Sequence, residues 1–363
     1  MDGQRNAAAL PVTSPASSAA GSSTAAPAAS PEFEPILAFL RASGLARANE
    51  IPVAEPLTGG VSSDIWKVEL EAGTLCVKRA LPRLRVKQVW EAPVGRNRFE
   101  RLWMETANGL VPGIAPKVLA SDEGGFFAMQ FLDPAQHPLW KAELAAGRAS
   151  AAFAAQMGRA LAQIHAGTAN RSDIAARFAT DDSFHAIRLE PYLLATARAH
   201  PAHAPRLEAL ASSTAATHLA LVHGDVSPKN ILCGPSGPVL LDAECAWYGD
   251  PAFDVAFCLN HLLLKCLWVP AAREGFLACF DAFCDAYLAG VAWELPDELE
   301  SRAAALLPGL LLARIDGKSP VEYLTGEGDK NTVREVATRL LKTPVIHLDQ
   351  LREEWRAALT GTP

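Results

Sequence analysis

Two short apolar runs late in the chain, each leading into polar side chains, constrain the fold more than any other feature. Residues 219–222, Leu-Ala-Leu-Val, lead into His223-Gly-Asp-Val-Ser-Pro-Lys-Asn230, and after the turn Gly234-Pro-Ser-Gly237 the run Val239-Leu-Leu241 leads into Asp242. Apolar runs bounded by glycine and proline read as buried strands, and Gly234-Pro-Ser-Gly237 reads as a turn between them. The pattern therefore sets Asp225, Asn230 and Asp242 at neighbouring strand ends, where their side chains can converge.

A carboxylate and an amide five residues apart on a loop that follows a strand, with a second carboxylate twelve residues further on, meet the needs of phosphoryl transfer. That reaction asks a protein to hold a triphosphate in line, to keep divalent metal on its oxygens and to place a carboxylate near the attacking hydroxyl. The stretch His223-Gly-Asp-x-x-x-x-Asn230 resembles the catalytic loop of the aminoglycoside phosphotransferase and choline kinase superfamily, which shares the protein-kinase fold. The resemblance implies that Asp225 is the catalytic base, that Asn230 and Asp242 coordinate magnesium, and that His223 and Gly224 shape the loop without reacting. Asp242-Ala-Glu244 is similar to the Asp-x-Glu metal motif of methylthioribose kinases. Glu244 is on that basis a candidate further ligand, with a solvated turn residue as the alternative. Trp247-Tyr-Gly-Asp-Pro-Ala-Phe-Asp254 continues the superfamily pattern, in which the later aspartate braces the catalytic loop.

The first half of the chain supplies candidates for holding the nucleotide. Residues 57–70, a break at Glu71-Ala-Gly-Thr74 and the alternating Leu75-Cys-Val-Lys78 form a hairpin pattern with Gly59 and Gly60 in a loop at its front. Those glycines either cover phosphates or serve an ordinary hairpin, since the chain has no G-x-G-x-x-G. Residues 96–107 place Phe99, Leu102 and Trp103 at i, i+3 and i+4 ahead of Pro112 and Pro116, which reads as one amphipathic helix. Lys78 and Glu100 then suit the lysine and helix-glutamate pair that grips the α- and β-phosphates. Glu105 is the rival, about 140° round the helix from Glu100. Met129-Gln-Phe-Leu132 reads as a strand-to-hinge segment, with the backbone carbonyl of Gln130 and amide of Leu132 meeting adenine. Val77-Lys-Arg-Ala-Leu-Pro82, Trp90 and Arg314-Ile-Asp-Gly317 are further similarities to methylthioribose kinases, whereas Val226-Ser-Pro-Lys229 and a single Arg314 depart from them.

Composition removes other classes. The net charge of −7 gives no general attraction to nucleic acid or to anionic membrane. The basic run at residues 79–87 lacks interleaved aromatics and reads as a solvated face. No stretch reaches the roughly 20 apolar residues of a membrane span. The seven cysteines include no C-x-x-C and lie mostly in apolar runs, so they read as buried thiols in a reducing compartment, which the chain shares with cytoplasmic proteins. Residues 1–32 are Ala-, Ser- and Pro-rich and read as a disordered tail. His165, on a helical face, reads as a hydrogen-bonded histidine without chemistry.

The expected architecture is therefore α/β (α+β) of the two-lobed protein-kinase type. A β-rich, nucleotide-binding N-lobe spans residues 33–133, and a larger, mostly helical C-lobe with the catalytic loop spans residues 134–363. The resemblance implies an ATP- and Mg2+-dependent transfer to a small-molecule hydroxyl substrate, with no nucleic acid or membrane partner. A nucleotide-binding pseudokinase or scaffold without turnover is the alternative.

Overall fold

A computed structural model describes residues 33–57, 63–80 and 96–360. Residues 1–32, Gly59, Gly60, Trp90 and most of the basic run at 79–87 lie outside the described residues. Helix α1 (Glu34–Ala42) and strand β1 (Val53–Pro56) lead into the expected hairpin of β2 (Ser63–Leu70) and β3 (Gly73–Ala80). After α2 (Arg96–Leu110), strands β4 (Val118–Ser121) and β5 (Phe126–Gln130) complete a five-stranded antiparallel sheet in the order β1-β2-β3-β5-β4.

Period-two alternation decides what each face of this sheet meets. Leu75, Val77 and Ala128 pack with Ile36, Leu37, Phe39 and Leu40 of α1. Cys76, Phe127 and Met129, one residue out of phase, join Leu102, Trp103 and Ala107 of α2 and the main core. Lys78 has the parity of Cys76, so the alternation that packs the sheet also aims it at α2.

The remainder is mostly helical: α3 (Trp140–Ala145), α4 (Ala151–Thr168), α5 (Ser172–Arg177), α6 (Asp181–Phe184), α7 (Ala195–Ala199) and α8 (Ala204–Ala216) precede the catalytic-loop region. Strands β6 (Ala220–Val222), β7 (Ile231–Gly234), β8 (Gly237–Leu240) and β9 (Trp247–Gly249) frame that region, and α9 (Pro251–Trp268), α10 (Arg273–Leu288), α11 (Pro296–Asp316), α12 (Glu327–Lys342) and α13 (Leu348–Thr360) follow. Helix α9 is buried on all sides except at its last two residues, as an all-round apolar helix must be. Among the described residues no single helix is long and apolar enough to cross a membrane. All seven cysteines are free.

Two elements differ from the sequence reading. The two apolar runs do not pair with each other: β6 pairs with β9, and the Gly234–Gly237 turn joins β8 to β7, which begins directly after Asn230. The part read from the sequence as mostly helical departs from regular α-helix at His185–Leu194, a π-helical segment. Pro191 lies inside that segment, and a proline has no N–H to give an α-helical bond, so the wider turn accommodates it.

Candidate active site

Three elements deliver an ion-paired triad. Lys78 on β3 and Glu100 on α2 are both buried, and the lysine Nζ lies 2.8 Å from the Glu100 carboxylate and 2.6 Å from Asp242 Oδ1. Burial works against the lysine's charge, but Asp242, Glu100 and Glu244 together hold its pKa above the ordinary range. Burial pushes the Glu100 carboxyl up to about 7, against the attraction of Lys78. Glu105, the rival, faces outward and pairs with Arg101 at 2.8 Å and Arg177 at 3.7 Å. The 140° separation on one helix thus sorts one glutamate into the site and the other onto the surface.

The catalytic loop is tied down from beneath. Asp254, in the first turn of α9, accepts the backbone N–H of His223 at 2.7 Å and of Gly224 at 2.8 Å. His165 lies 3.4 Å from Asp254 and hydrogen bonds the Tyr287 hydroxyl at 2.8 Å, so it supports the brace from the core. Gly224 has φ +77°, and a Cβ there would stand 2.7 Å from the Cys245 carbonyl oxygen. Gly224→Ala therefore combines a left-handed backbone with a backbone clash, and a loss of roughly 2–4 kcal/mol is expected. A denaturant midpoint equal to that of the unsubstituted protein would sink this reading of the glycine.

The same loop brings Asp225, Asn230 and Asp242 together. Asn230 donates its side-chain N–H to the Asp225 carbonyl at 3.2 Å, which leaves Oδ1 as its metal-capable atom. The Leu241 N–H donates to the Asn230 carbonyl at 2.8 Å, so Asp242 follows directly from the strand end beside Asn230. Asp242 itself has φ +65°, a strained conformation that aspartate tolerates better than most residues. No cluster of three or more His, Cys, Asp or Glu able to hold a metal occurs among the described residues. The set here is Asp242, the Asn230 amide oxygen and Glu244, all oxygen donors, and a partial set of this kind fits magnesium, which fills its octahedron with phosphate oxygens and water. Glu244 is half-buried, and its charge acts on both Lys78 and Glu100.

Two cations at Asp225 were not singled out from the sequence. Arg188, carried by the π-helical segment, places Nη2 2.9 Å from Asp225 Oδ2, and Lys229 places Nζ 3.2 Å from the same oxygen. Burial opposes ionisation of Asp225, but Lys229 and Arg188 overcome it and hold the carboxyl well below the usual carboxylate range. Its other oxygen, Oδ1, is buried with no hydrogen-bond partner among the described residues. The only local signal for Arg188 was a proline three residues on in an otherwise helical run.

The hinge residues lie where β5 ends. Gln130 gives its N–H to the Lys117 carbonyl at 2.9 Å, and the Leu132 amide has no hydrogen-bond partner among the described residues. A cavity of about 430 Å³ touches Gln130, Leu132, His137, Gln156 and the Gly234–Gly237 turn, but neither Lys78, Asp225, Asn230 nor Asp242 lines it. Its lining thus includes the two hinge residues but none of these four charged or amide side chains.

Residues 53–299 match the model of the phosphotransferase enzyme family. Methylthioribose kinase of Pectobacterium atrosepticum is 26% identical over 265 residues, covering 64% of this chain and 65% of that protein. Methylthioribose kinase 1 of Oryza sativa subsp. japonica is 26% identical over 231 residues, covering 55% and 53%. The chain thus spans less than two thirds of the length of these curated relatives. Among solved structures, an amicoumacin kinase in complex with AMP-PNP, Ca2+ and Ami aligns with a TM-score of 0.54 at 12% identity, covering 87% of this chain and 95% of that one. A choline kinase from Cryptosporidium parvum Iowa II gives 0.53 at 12% identity, covering 91% and 100%. At that identity the likeness is one of fold: a kinase-like sheet followed by a larger helical part.

Proposed function

Because the chain belongs to the phosphotransferase enzyme family, we propose that it moves the γ-phosphoryl group of ATP to a hydroxyl of a small molecule, with magnesium on the triphosphate. The observation that carries this reading is the linkage of Lys78 to both Glu100 and Asp242, with Asp242 emerging beside Asn230 and Asp225. A scaffold has no use for that set of buried charges, whose burial is costly unless they are paired or used.

In this reading residues 33–133 hold the nucleotide. Lys78, oriented by Glu100, meets the α- and β-phosphates, and the backbone at Gln130 and Leu132 meets adenine. Asn230 and Asp242, with Glu244 beside them, hold magnesium, which when bound neutralises charge on the phosphate oxygens. Asp225 Oδ1, the oxygen that Arg188 and Lys229 leave unengaged, accepts the acceptor's O–H and orients it for in-line attack. A carboxyl held so far below the usual range stays ionised at neutral pH, so its task is to align the hydroxyl and take the proton late in the transfer. No covalent phosphoenzyme is needed.

The curated relatives are named for methylthioribose, but one scaffold serves many acceptors, so the acceptor is proposed here only as a small hydroxyl compound. Magnesium-dependent ADP release from ATP, measured over sugars, amino alcohols, aminoglycosides and hydroxyacyl thioesters, tests the reading. Release stimulated by at least one acceptor class is expected. Tight nucleotide binding with no release in any condition would instead establish the scaffold alternative.

A further inference from the structure

Beyond the transferring groups, Arg314 and Lys265 are buried cations that form no ion pair with a carboxylate among the described residues, and Arg314 is linked to Asp225 through Tyr192 and Arg188. Arg314, on α11, is 7% exposed and gives its guanidinium N–H groups to the Tyr192 hydroxyl at 3.3 Å, the Ser319 hydroxyl at 2.9 Å and the Ser319 carbonyl. Among the described residues its Nε is buried with no hydrogen-bond partner, as is the Tyr323 hydroxyl. Lys265, on α9, is 1% exposed, and its ammonium lies 3.6 Å from the centre of the Tyr323 ring and 4.1 Å from that of Trp268. Among the described residues neither cation forms an ion pair with a carboxylate. Glu322, whose charge acts on Lys265, is already engaged by Lys141.

These groups connect to the catalytic loop. The Tyr192 ring has Arg188 5.8 Å from its centre and Arg314 5.7 Å from it, and Arg188 is the residue that holds Asp225. Along α9, Asp254, Phe257, His261 and Lys265 recur at helical spacing on one face, a stripe about 16 Å long from the loop's brace to the lysine. His261 stacks edge-on against Phe257 at 5.5 Å, and burial, reinforced by the charges of Arg314 and Lys265, keeps it neutral by lowering its pKa well below the usual value. Burial likewise brings the Lys265 ammonium down to about 7, with Lys141 adding to the effect and Glu322 opposing it.

Buried charges are normally paired, because leaving one without a counter-ion costs several kcal/mol. Among the described residues Arg314, and Lys265 when protonated, have no carboxylate paired with them, and Arg314 Nε and the Tyr323 hydroxyl have no hydrogen-bond partner. We propose that the acceptor is an anion: a small hydroxyl compound carrying a carboxylate or phosphate, which Arg314, Lys265 and the Tyr323 hydroxyl receive while its hydroxyl rests on Asp225. The proposal rests on the phosphotransferase reading above. In the transfer, the bond between the γ-phosphorus and its bridging oxygen breaks as the acceptor oxygen bonds to phosphorus. The hydroxyl proton passes to Asp225, and ADP leaves. A cationic acceptor such as an amino alcohol would meet like charges at Arg314 and Lys265 instead.

Matched acceptors of different charge test this: glucose 6-phosphate and gluconate, glucose, and glucosamine. With the nucleotide held as magnesium and a non-hydrolysable ATP analogue, melting temperature is read against each compound, and turnover with Mg·ATP is read in parallel. The anions are expected to raise the melting temperature by several degrees, and glucose and glucosamine to leave it unchanged. Arg314→Met and Lys265→Met are each expected to raise the KM of the anionic acceptor by about tenfold or more. Arg314→Lys should recover part of that loss, while the KM for ATP stays constant. Unliganded melting curves establish that the variants fold. Equal shifts with all four compounds, no shift with either anion, or an anion response that survives both Met variants would overturn the proposal. If a neutral or cationic acceptor is phosphorylated and the anions are not, only the anion inference fails. If ATP is not turned over with any acceptor while the anions still raise the melting temperature, the phosphotransferase reading fails and the anion site stands.

Discussion

Asp225→Asn is expected to lower kcat by about 10³-fold while changing the affinity for Mg·ATP by less than about threefold. The expectation follows from how Asp225 is held. Its backbone carbonyl, not its side chain, receives the Asn230 amide, so the substitution leaves that link intact. What it removes is the negative charge between Arg188 and Lys229 and the oxygen that takes the acceptor proton. Two cations lose their counter-ion, so some loss of stability accompanies the change. Steady-state kinetics with calorimetric titration of an ATP analogue separates the two effects. Turnover within a factor of a few of the parent would remove Asp225 from the chemistry.

Asp242→Asn is expected to act on the other half of the reaction. In the unsubstituted protein, magnesium should tighten binding of an ATP analogue by at least about tenfold, and in the variant this dependence should largely vanish, with kcat/KM down by about 10³-fold. Asparagine suits the test because it, too, tolerates the left-handed backbone found at φ +65°, so the fold is not the variable. Lys78 keeps Glu100 at 2.8 Å but loses Asp242 at 2.6 Å. Titration with and without magnesium reads the outcome directly. A variant that still binds the analogue in a fully magnesium-dependent manner would show that the metal is held elsewhere.

The two variants also show which parts of the site were open to sequence reasoning. Asp225, Asn230 and Asp242 were legible because their spacing is local and the runs around them are unambiguously apolar. Lys78 was legible from parity along β3, since the alternation that buries Cys76 also fixes the lysine's direction. Helical periodicity put Glu100 and Glu105 on different sides of α2 but gave no means of choosing between them. Similarity to the lysine and helix-glutamate pair of kinases singled out Glu100, and the structure pairs that residue with Lys78. Strand pairing was beyond reach: β6, β8 and β9 are three or four residues long, too short to encode a partner, and β6 joins β9 across the catalytic loop. Arg188 depends on a π-helical segment 37 residues before Asp225, and Arg314 and Lys265 on the packing of α9 and α11. Apart from Pro191 beside Arg188 and the similarity carried by Arg314-Ile-Asp-Gly317, nothing in their immediate sequence reports such placement.

The most direct measurement is a crystal structure with magnesium and a non-hydrolysable ATP analogue. The account predicts metal about 2.0–2.1 Å from an Asp242 oxygen and from Asn230 Oδ1. It also predicts Lys78 on the α- and β-phosphates and a γ-phosphate facing Asp225 Oδ1. A triphosphate that lies away from Lys78 and Asp225, or metal that touches neither Asp242 nor Asn230, would contradict it.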